Sequence, residues 1–115
     1  MKLLIVGSRS ITDFDISTFI PDDVELIISG GARGIDTLAE QYADKMKISK
    51  LVLRPDYKKY KRGAPLKRNE EMVDLCDKVL VFWDGVSRGT KHTIDYASKV
   101  GKDVEIIIID HIEYL

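Results

Sequence analysis

The sequence contains little cysteine, since Cys76 is the single one among 115 residues. One thiol excludes an internal disulfide and a thiolate cage around a metal ion. No spacing of histidine, aspartate and glutamate suggests another kind of metal site, and no cofactor is predicted. Sparse cysteine without disulfides is typical of a reducing compartment, so a cytoplasmic location is expected.

Long apolar runs and a strong net charge are also lacking. In the first ten residues, MKLLIVGSRS, the apolar run Leu3–Val6 is too short for the hydrophobic region of a signal peptide or for a membrane span. No membrane partner is therefore expected. A formal net charge of −1 provides no global attraction to nucleic acid. A polyanion would need a local patch, and the one long basic stretch is Arg54–Glu71, RPDYKKYKRGAPLKRNEE.

The chain does contain several short apolar runs. Near-continuous runs of four to six residues are typical of strands buried on both faces of a parallel sheet. Four such runs and a weaker one, Leu51–Leu53, predict five strands. The other four are Leu3–Val6, Val24–Ile28, Val79–Trp83 and Val104–Ile109.

Segments of helical period lie between these runs. The clearest apolar stripe extends from Ile35 to Met46, with apolar residues at offsets 0, 3, 4, 7, 8 and 11. Weaker stripes predict helices over Thr12–Ile20, Pro65–Asp77 and a segment ending near Val100. Alternating strands and helices indicate βαβ units. We therefore expect one α/β domain over residues 1–115, Rossmann-like and three-layered, with a parallel sheet in the order 3-2-1-4-5.

The loops that follow the first four strands are the candidate binding site. In an open parallel sheet, ligands bind beyond the carboxyl ends of the strands. Gly7–Ser10, Ser29–Thr37 and Asp84–Thr90 follow strands one, two and four, and the basic stretch with Arg68 and Asn69 follows strand three. Two of these loops are rich in glycine and open helices, whose amino ends attract anions.

These loops predict a phosphate site, because glycine lets a backbone amide approach an anion closely and arginine binds its oxygens. The predicted ligand-binding residues are Gly7, Ser8, Arg9, Ser29, Gly30, Gly31, Arg33, Gly34, Asp36, Asn69, Asp84, Ser87, Arg88, Gly89 and Thr90.

Each of these features also has a purely structural interpretation. Glycine-rich turns close tight βα connections without any ligand. Asp36 either stabilises its helix dipole or contacts a ribose hydroxyl or a base. Asp84 and Gly85 form a common turn pair. Tyr57 and Tyr60 either stack on bases or belong to a solvated loop or lid, and the second interpretation is favoured.

Four motifs together resemble the SLOG superfamily of Rossmann-like nucleotide-binding domains, closest to its small YspA-type branch. GSRSITD begins at Gly7, SGGARGIDTLAE at Ser29, KRNEEM at Lys67 and FWDGVSRGTKHTIDYA at Phe82. The motifs appear in the family's order over almost the whole chain. The superfamily also contains the cytokinin-activating phosphoribohydrolases, the molybdenum-cofactor carrier proteins and DNA-processing protein A.

The resemblance implies a nucleotide or nucleotide-derived, ADP-ribose-like ligand, with phosphate on Gly30–Gly34 and Ser87–Thr90. A sensor or carrier of this ligand is the leading interpretation. In the phosphoribohydrolases, an arginine and a glutamate of a PGGxGTxxE motif form the catalytic pair. Arg68 corresponds to that arginine and is the candidate catalytic residue. Thr93 stands in place of the glutamate, and threonine does not supply the negative charge that glycoside cleavage needs.

Three further expectations stay open. A nucleotide N-glycosidase remains an alternative if another carboxylate, among them Asp36, Glu40, Asp84 and Asp95, replaces the glutamate. Binding of single-stranded nucleic acid is a further alternative, because SGGARGID is similar to the glycine loop of DNA-processing protein A. A homodimer is expected from the related phosphoribohydrolases and from the apolar stretch VEIIIIDHIEYL.

Overall fold

The protein is an α/β domain built on one five-stranded parallel sheet, and a computed structural model describes its residues 1–109. The sheet order is β3-β2-β1-β4-β5, which confirms the predicted Rossmann-like arrangement. Every neighbouring pair of strands is parallel. The strands are β1 (Lys2–Gly7), β2 (Leu26–Ser29), β3 (Ser49–Val52), β4 (Lys78–Trp83) and β5 (Asp103–Ile108).

Helices cover both faces of the sheet, which explains why the central strands are almost wholly apolar. Leu4 of β1 lies beside Ile28 of β2 and Val79 of β4, and all three are fully buried. The first helix packs on one face together with residues 11–24, and the third and fourth pack on the other. The helices are α1 (Ile35–Met46), α2 (Tyr57–Tyr60), α3 (Ala64–Leu75) and α4 (Arg88–Lys99).

The bounds of the long helices follow their local sequence signals. α1 covers the predicted stripe, begins after Gly34 and ends at a left-handed Lys47. Gly101 follows α4 with a φ of 79°, as expected for a glycine just past a helix end. The three long helices have 12 residues each, or about 18 Å. Within residues 1–109, no helix is long and apolar enough to cross a membrane.

The prediction of a helix over Thr12–Ile20 is wrong. This segment contains only one 3₁₀ turn, Ser17–Phe19. The Asp15 side chain accepts from the Ser17 amide at 3.0 Å, a local bond that competes with helix formation. Ile20 is extended because Pro21 follows it. The apolar side chains of this segment instead pack separately against the α1 face of the sheet.

Candidate functional site

A cleft of about 410 Å³ lies at the carboxyl edge of the sheet, within the range typical of small-molecule sites. It opens beside β1 and β4, whose following segments pack on opposite faces of the sheet. Such a switch point is where ligands bind in open α/β sheets. The lining residues are Val6, Gly7, Ser8, Arg9, Ser10, Ala32, Asp36, Pro65, Leu66, Arg68, Asn69, Met72, Asp84, Ser87, Arg88, Gly89, Thr90 and Thr93.

The cleft brings together eleven of the sixteen predicted site residues. They come from all four loops, although the loops are separated by tens of residues along the chain. Five predicted residues are not among the lining residues, and all five belong to the loop after β2. These are Ser29, Gly30, Gly31, Arg33 and Gly34.

Ser8, Asp84 and Ser87 join the loops after β1 and β4. The buried Ser8 hydroxyl accepts from the Asp84 amide at 2.9 Å and lies 3.2 Å from the Ser87 hydroxyl. The Ser87 hydroxyl also lies 2.8 Å from Oδ2 of Asp84. Trp83 supports the same loop, since its indole N–H donates to the Ser87 carbonyl at 3.1 Å. These contacts fix where α4 begins.

Asp84 organises its loop as an ionised carboxylate. Its Oδ1 accepts from the amides of Val86 and Ser87 at 2.9 and 2.8 Å. Burial alone would raise the pKa of Asp84, but these bonds and those of the Ser87 and Ser8 hydroxyls outweigh it and lower the pKa from 3.8 to about 2. Both carboxylate oxygens are therefore occupied within the loop, as the turn interpretation of Asp84 requires.

The amino end of α4 presents unpaired donors to the cleft. Ser87 is its N-cap residue and provides no side-chain cap. The first amide of this turn bonded to a carbonyl of residues 1–109 is that of Lys91. The amides of Arg88, Gly89 and Thr90 are thus the free amides expected at a helix start. Thr90, in the same turn, is 7% exposed and lines the cleft.

Arg68 is held at the bottom of the cleft by three acceptors. Its Nη1 donates to the carbonyls of Gly30 at 2.6 Å and Leu53 at 3.2 Å, and its Nε donates to Asn69 at 2.8 Å. The side chain is 8% exposed, and burial lowers its pKa, an effect that the charge of Asp36 opposes. Arg68 thus connects α3 to the ends of β2 and β3 while it lines the cleft.

The glycine loop after β2 supports the cleft from outside. A Cβ on Gly30 would lie 2.7 Å from Nη1 of Arg68, and one on Gly31 would lie 2.7 Å from Nη1 of Arg54. Gly34 packs against the backbone of the loop after β1. Arg33 is exposed at the turn. In this structure Gly30 and Gly31 make room for arginines of the same chain, and none of the three glycines is a lining residue.

Asp36 is a buried carboxylate of the cleft. It is 7% exposed, and its Oδ2 accepts from the Ala32 amide at 3.2 Å. Burial raises its pKa, although the Ala32 amide and the charge of Arg68 act in the opposite direction. A Cβ on Gly30 would lie 2.9 Å from both Oδ2 of Asp36 and Cζ of Arg68, so these side chains converge on one point.

The other carboxylates named from the sequence lie elsewhere. Glu40 is 3.9 Å from the Lys50 ammonium, and Asp95 forms an exposed pair with Lys91 at 2.8 Å. Neither is a lining residue. Thr93 does line the cleft, and its hydroxyl donates to the Gly89 carbonyl at 3.1 Å.

Sequence reasoning missed an apolar wall of the cleft. Pro65, Leu66 and Met72 line it from α3, and Leu66 is 41% exposed. The signal was available, because the predicted helix over Pro65–Asp77 follows the third strand and must begin at the same edge. Ser10 and Ala32 were also missed, each beside a predicted residue.

The chemistry of the lining favours an anion with an apolar portion. Within the part of the chain that the structure describes, no three His, Cys, Asp or Glu side chains converge as a metal site would require. Apart from the Asp36 carboxylate, the groups left for a ligand are the α4 amides and the guanidinium groups of Arg9 and Arg88, which donate hydrogen bonds. An ammonium or metal cation would find few free acceptors here.

Comparison with known proteins identifies a relative. No family model matches the chain, and no solved structure matches it. The "Gene 61 protein" of Mycobacterium phage D29 is 31% identical over 113 residues, an alignment that covers 87% of this chain and 90% of the relative. The relative's name states no activity. Because the similarity extends over nearly all of both chains, this protein belongs to the family of the phage D29 Gene 61 protein.

Proposed function

We propose that the cleft binds a nucleotide or a nucleotide-derived, ADP-ribose-like ligand, which the protein senses or carries. The observation that carries the proposal is the amino end of α4. Its first amides are free, and Thr90 lies beside them in the lining of the cleft. A helix start with free donors is a ready anion site, and phosphate is the common anion of that size.

Arginine side chains supply the charge that a phosphate or diphosphate needs. Arg9 and Arg88 are exposed and line the cleft, and Arg68 lines it from below. The charge of Arg9 reaches Arg68, where it adds to the effect of burial in lowering the Arg68 pKa. A bound dianion would relieve this repulsion between like charges.

The rest of the cleft suits the rest of a nucleotide. Pro65, Leu66 and Met72 form an apolar wall on which a base can lie. Asp36 and Asn69 line the same cleft, and both are buried. A ribose hydroxyl placed there would find an acceptor in Asp36. The volume of about 410 Å³ fits a nucleoside monophosphate and its hydration.

Membership of the SLOG superfamily, in its YspA-type branch, is part of the same proposal. Its support is that each of the four motifs contributes lining residues to one cleft. Ser8 and Arg9 come from the first motif, Asp36 from the second, Arg68 from the third and Arg88 from the fourth. The parallel topology brings the strand-ending loops to one edge, and here each of the four motifs provides polar or charged lining residues to the same cleft.

Thermal unfolding against a panel of nucleotides, nucleoside monophosphates, ADP-ribose and NAD tests the proposal. A ligand at 100 times its Kd adds about 2.7 kcal/mol, which raises the midpoint of a domain this size by roughly 10 °C. Thr90→Val and Arg88→Gln should reduce the shift, since they remove cleft donors. Lys99→Gln, at the far end of α4, is the control and should leave it unchanged.

A panel without any shift would refute the proposal. So would a shift that Thr90→Val and Arg88→Gln both leave intact. Gly31→Val is a poor probe for this purpose. Gly31 has a φ of 72° and faces Arg54, so a side chain there disturbs the fold whether or not a ligand binds.

Asp36 favours a second candidate function, hydrolysis of a nucleotide N-glycosidic bond. Cleavage breaks the bond from the anomeric carbon to the base, a water oxygen takes the base's place, and the base leaves with a proton. A carboxylate stabilises the oxocarbenium-like transition state. Asp36 lies in the cleft with Arg68, whereas both oxygens of Asp84 are occupied.

Chromatography of nucleoside monophosphates incubated with the protein tests this candidate. Release of free base by the wild type, lost in Asp36→Asn while ligand-induced stabilisation persists, is the expected result for an enzyme. Absence of free base with a ligand that does bind would leave the sensor or carrier function alone. Base release that survives Asp36→Asn would exclude the proposed role of this carboxylate.

We also propose a homodimer, with β5 at the interface. β5 is an edge strand, and its Ile106 and Ile108 are 43% and 59% exposed. Exposed apolar edges are generally covered in native assemblies. The final part of the apolar stretch, residues 110–115, lies outside the described residues. Sedimentation velocity of the wild type and of Ile108→Lys tests the dimer, which the variant should weaken.

A further inference from the structure

The segment from the end of β3 to the first turn of α3 concentrates positive charge. Between Arg54 and Lys67 there are six basic side chains and one acidic one, Asp56, so this segment has a formal charge of +5. The whole chain has a charge of −1, which leaves −6 for the other residues. We name these six side chains the basic platform. They are Arg54, Lys58, Lys59, Lys61, Arg62 and Lys67.

The basic platform is exposed and its charges are not neutralised within residues 1–109. All six side chains are exposed, and none takes part in an ion pair among the described residues. Among the described residues, three lysines outside this segment do form ion pairs: Lys50 with Asp44, Lys78 with Glu105 and Lys91 with Asp95. A separated positive surface of this kind attracts polyanions even when net charge is negative.

The basic platform adjoins the cleft. Nη1 of Arg54 donates to the Gly31 carbonyl at 3.1 Å, behind the floor formed by Arg68. Nη1 of Arg68 donates to the neighbouring Gly30 carbonyl at 2.6 Å, so the two guanidinium groups bind adjacent residues of one loop. Pro65 and Leu66 lie within the same segment and line the cleft itself. A chain of phosphates can therefore continue from the cleft onto the platform.

The two tyrosines of this segment differ in what they can bind. The ammonium groups of Lys59 and Lys67 lie 5.1 and 5.9 Å from the ring centre of Tyr60. Cations of the same segment therefore already contact the Tyr60 ring, on which a base would otherwise stack. Tyr57 is 59% exposed, and its ring makes no comparable contact within residues 1–109. An exposed aromatic ring among cations is the combination on which unpaired bases stack.

We propose that the basic platform binds single-stranded nucleic acid, with phosphates on its cations and a base on Tyr57. A duplex hides its bases in its own stack, and an acidic peptide lacks bases, so neither would use the exposed ring. This surface goes beyond the proposed nucleotide cleft, because its charges and its ring lie outside the residues that line the cleft.

Fluorescence anisotropy with a labelled twelve-nucleotide oligothymidine measures the effect of charge. For single strands the slope of log K against log salt is about −0.7 per phosphate contact. Four contacts would weaken wild-type binding about 50-fold between 50 and 200 mM salt, and two contacts only about 7-fold. Lys58→Glu/Arg62→Glu should show the smaller salt dependence and bind more weakly at 50 mM.

A matched control keeps the change in net charge constant. Lys45→Glu/Lys99→Glu also lowers the formal charge from −1 to −5, since two lysines become glutamates. Both lysines lie in the last turns of α1 and α4, at the opposite edge of the sheet from the cleft. This variant should bind the oligonucleotide almost as the wild type does. An equal loss of oligonucleotide affinity in both double variants would mean that net charge alone attracts the oligonucleotide, and would overturn the proposal.

Substitutions of Tyr57 test the stacking. Tyr57→Ala should weaken oligonucleotide binding about fivefold or more, whereas Tyr57→Phe keeps the ring and should bind as the wild type does. An unchanged affinity in Tyr57→Ala would overturn the stacking, as would equal affinity for an oligo-aspartate of the same charge.

The mononucleotide thermal shift separates this inference from the proposed function. It should persist in Lys58→Glu/Arg62→Glu if the cleft and the platform are distinct surfaces. Loss of oligonucleotide binding with a retained mononucleotide shift supports the platform. Oligonucleotide binding without any mononucleotide shift would refute the cleft proposal and leave the platform standing.

Discussion

Replacing Asp84 with asparagine should remove a stabilising charge whose size and pH range follow from the structure. In the folded chain, amide and hydroxyl bonds hold the pKa of Asp84 at about 2, compared with 3.8 ordinarily. A difference of this size corresponds to at most about 2.4 kcal/mol. Because the carboxylate is only half-buried, solvent screening reduces the expected contribution to about 1–1.5 kcal/mol.

The sign follows from the lowered pKa. Asp84 is ionised more readily in the folded chain than in the unfolded chain, so its contribution is present above about pH 4. It is lost as the pH falls from there toward 2, because the folded carboxylate then becomes protonated. Urea unfolding at pH 5 and pH 2 measures this effect as the difference in free energy of unfolding between wild type and Asp84→Asn.

The difference should be about 1–1.5 kcal/mol at pH 5 and should shrink strongly by pH 2. Val86→Ala, in the same loop and 79% exposed, removes no titrating group and is the control. Its effect should not depend on pH over this range. An Asp84→Asn difference that stays constant from pH 5 to pH 2 would refute the reasoning, because the loop would then hold the side chain without its charge.

Three other substitutions test the floor of the cleft. Gly30→Ala should destabilise the fold by about 1–3 kcal/mol, because its Cβ would meet the Arg68 guanidinium, whereas Gly63→Ala has open space and should be near neutral in urea unfolding. Arg68→Met should lose at least about 2 kcal/mol, since two carbonyls lose a charged donor, and calorimetry would show it. The stability difference between wild type and Asp36→Asn should change with pH in the direction opposite to that for Asp84→Asn. Its folded pKa is raised, so wild-type stability relative to the variant should fall as the pH rises above about 4 in urea unfolding.

The fold could be predicted because its signals are local. The buried strands are continuous apolar runs, and the α1 stripe has the period of a helix over its whole length. The residues from Thr12 to Ile20 misled the prediction because their apolar spacing is similar to a helix but each side chain packs independently. Only tertiary contact distinguishes these two cases.

The place of the cleft was predictable, but the role of its glycines was not. The parallel topology brings the four strand-ending loops to one edge, so their residues meet whatever their order in the chain. The glycines after β2 depend on side chains that arrive from far along the sequence. Arg68 contacts the Gly30 carbonyl across 38 positions, and Arg54 contacts that of Gly31 across 23. No local pattern contains such contacts.

The division of labour among the loops decides which groups are left for a ligand. In the loop after β2, the carbonyls of Gly30 and Gly31 accept hydrogen bonds from Arg68 and Arg54. Both carboxylate oxygens of Asp84 are bonded within its own loop. Acceptors are thereby consumed inside the protein, while the donors of the α4 start remain free. Apart from Asp36, the cleft has few free acceptors and many free donors, and this balance favours an anion. This asymmetry, more than the glycine motif itself, is the physical basis for proposing a phosphate ligand.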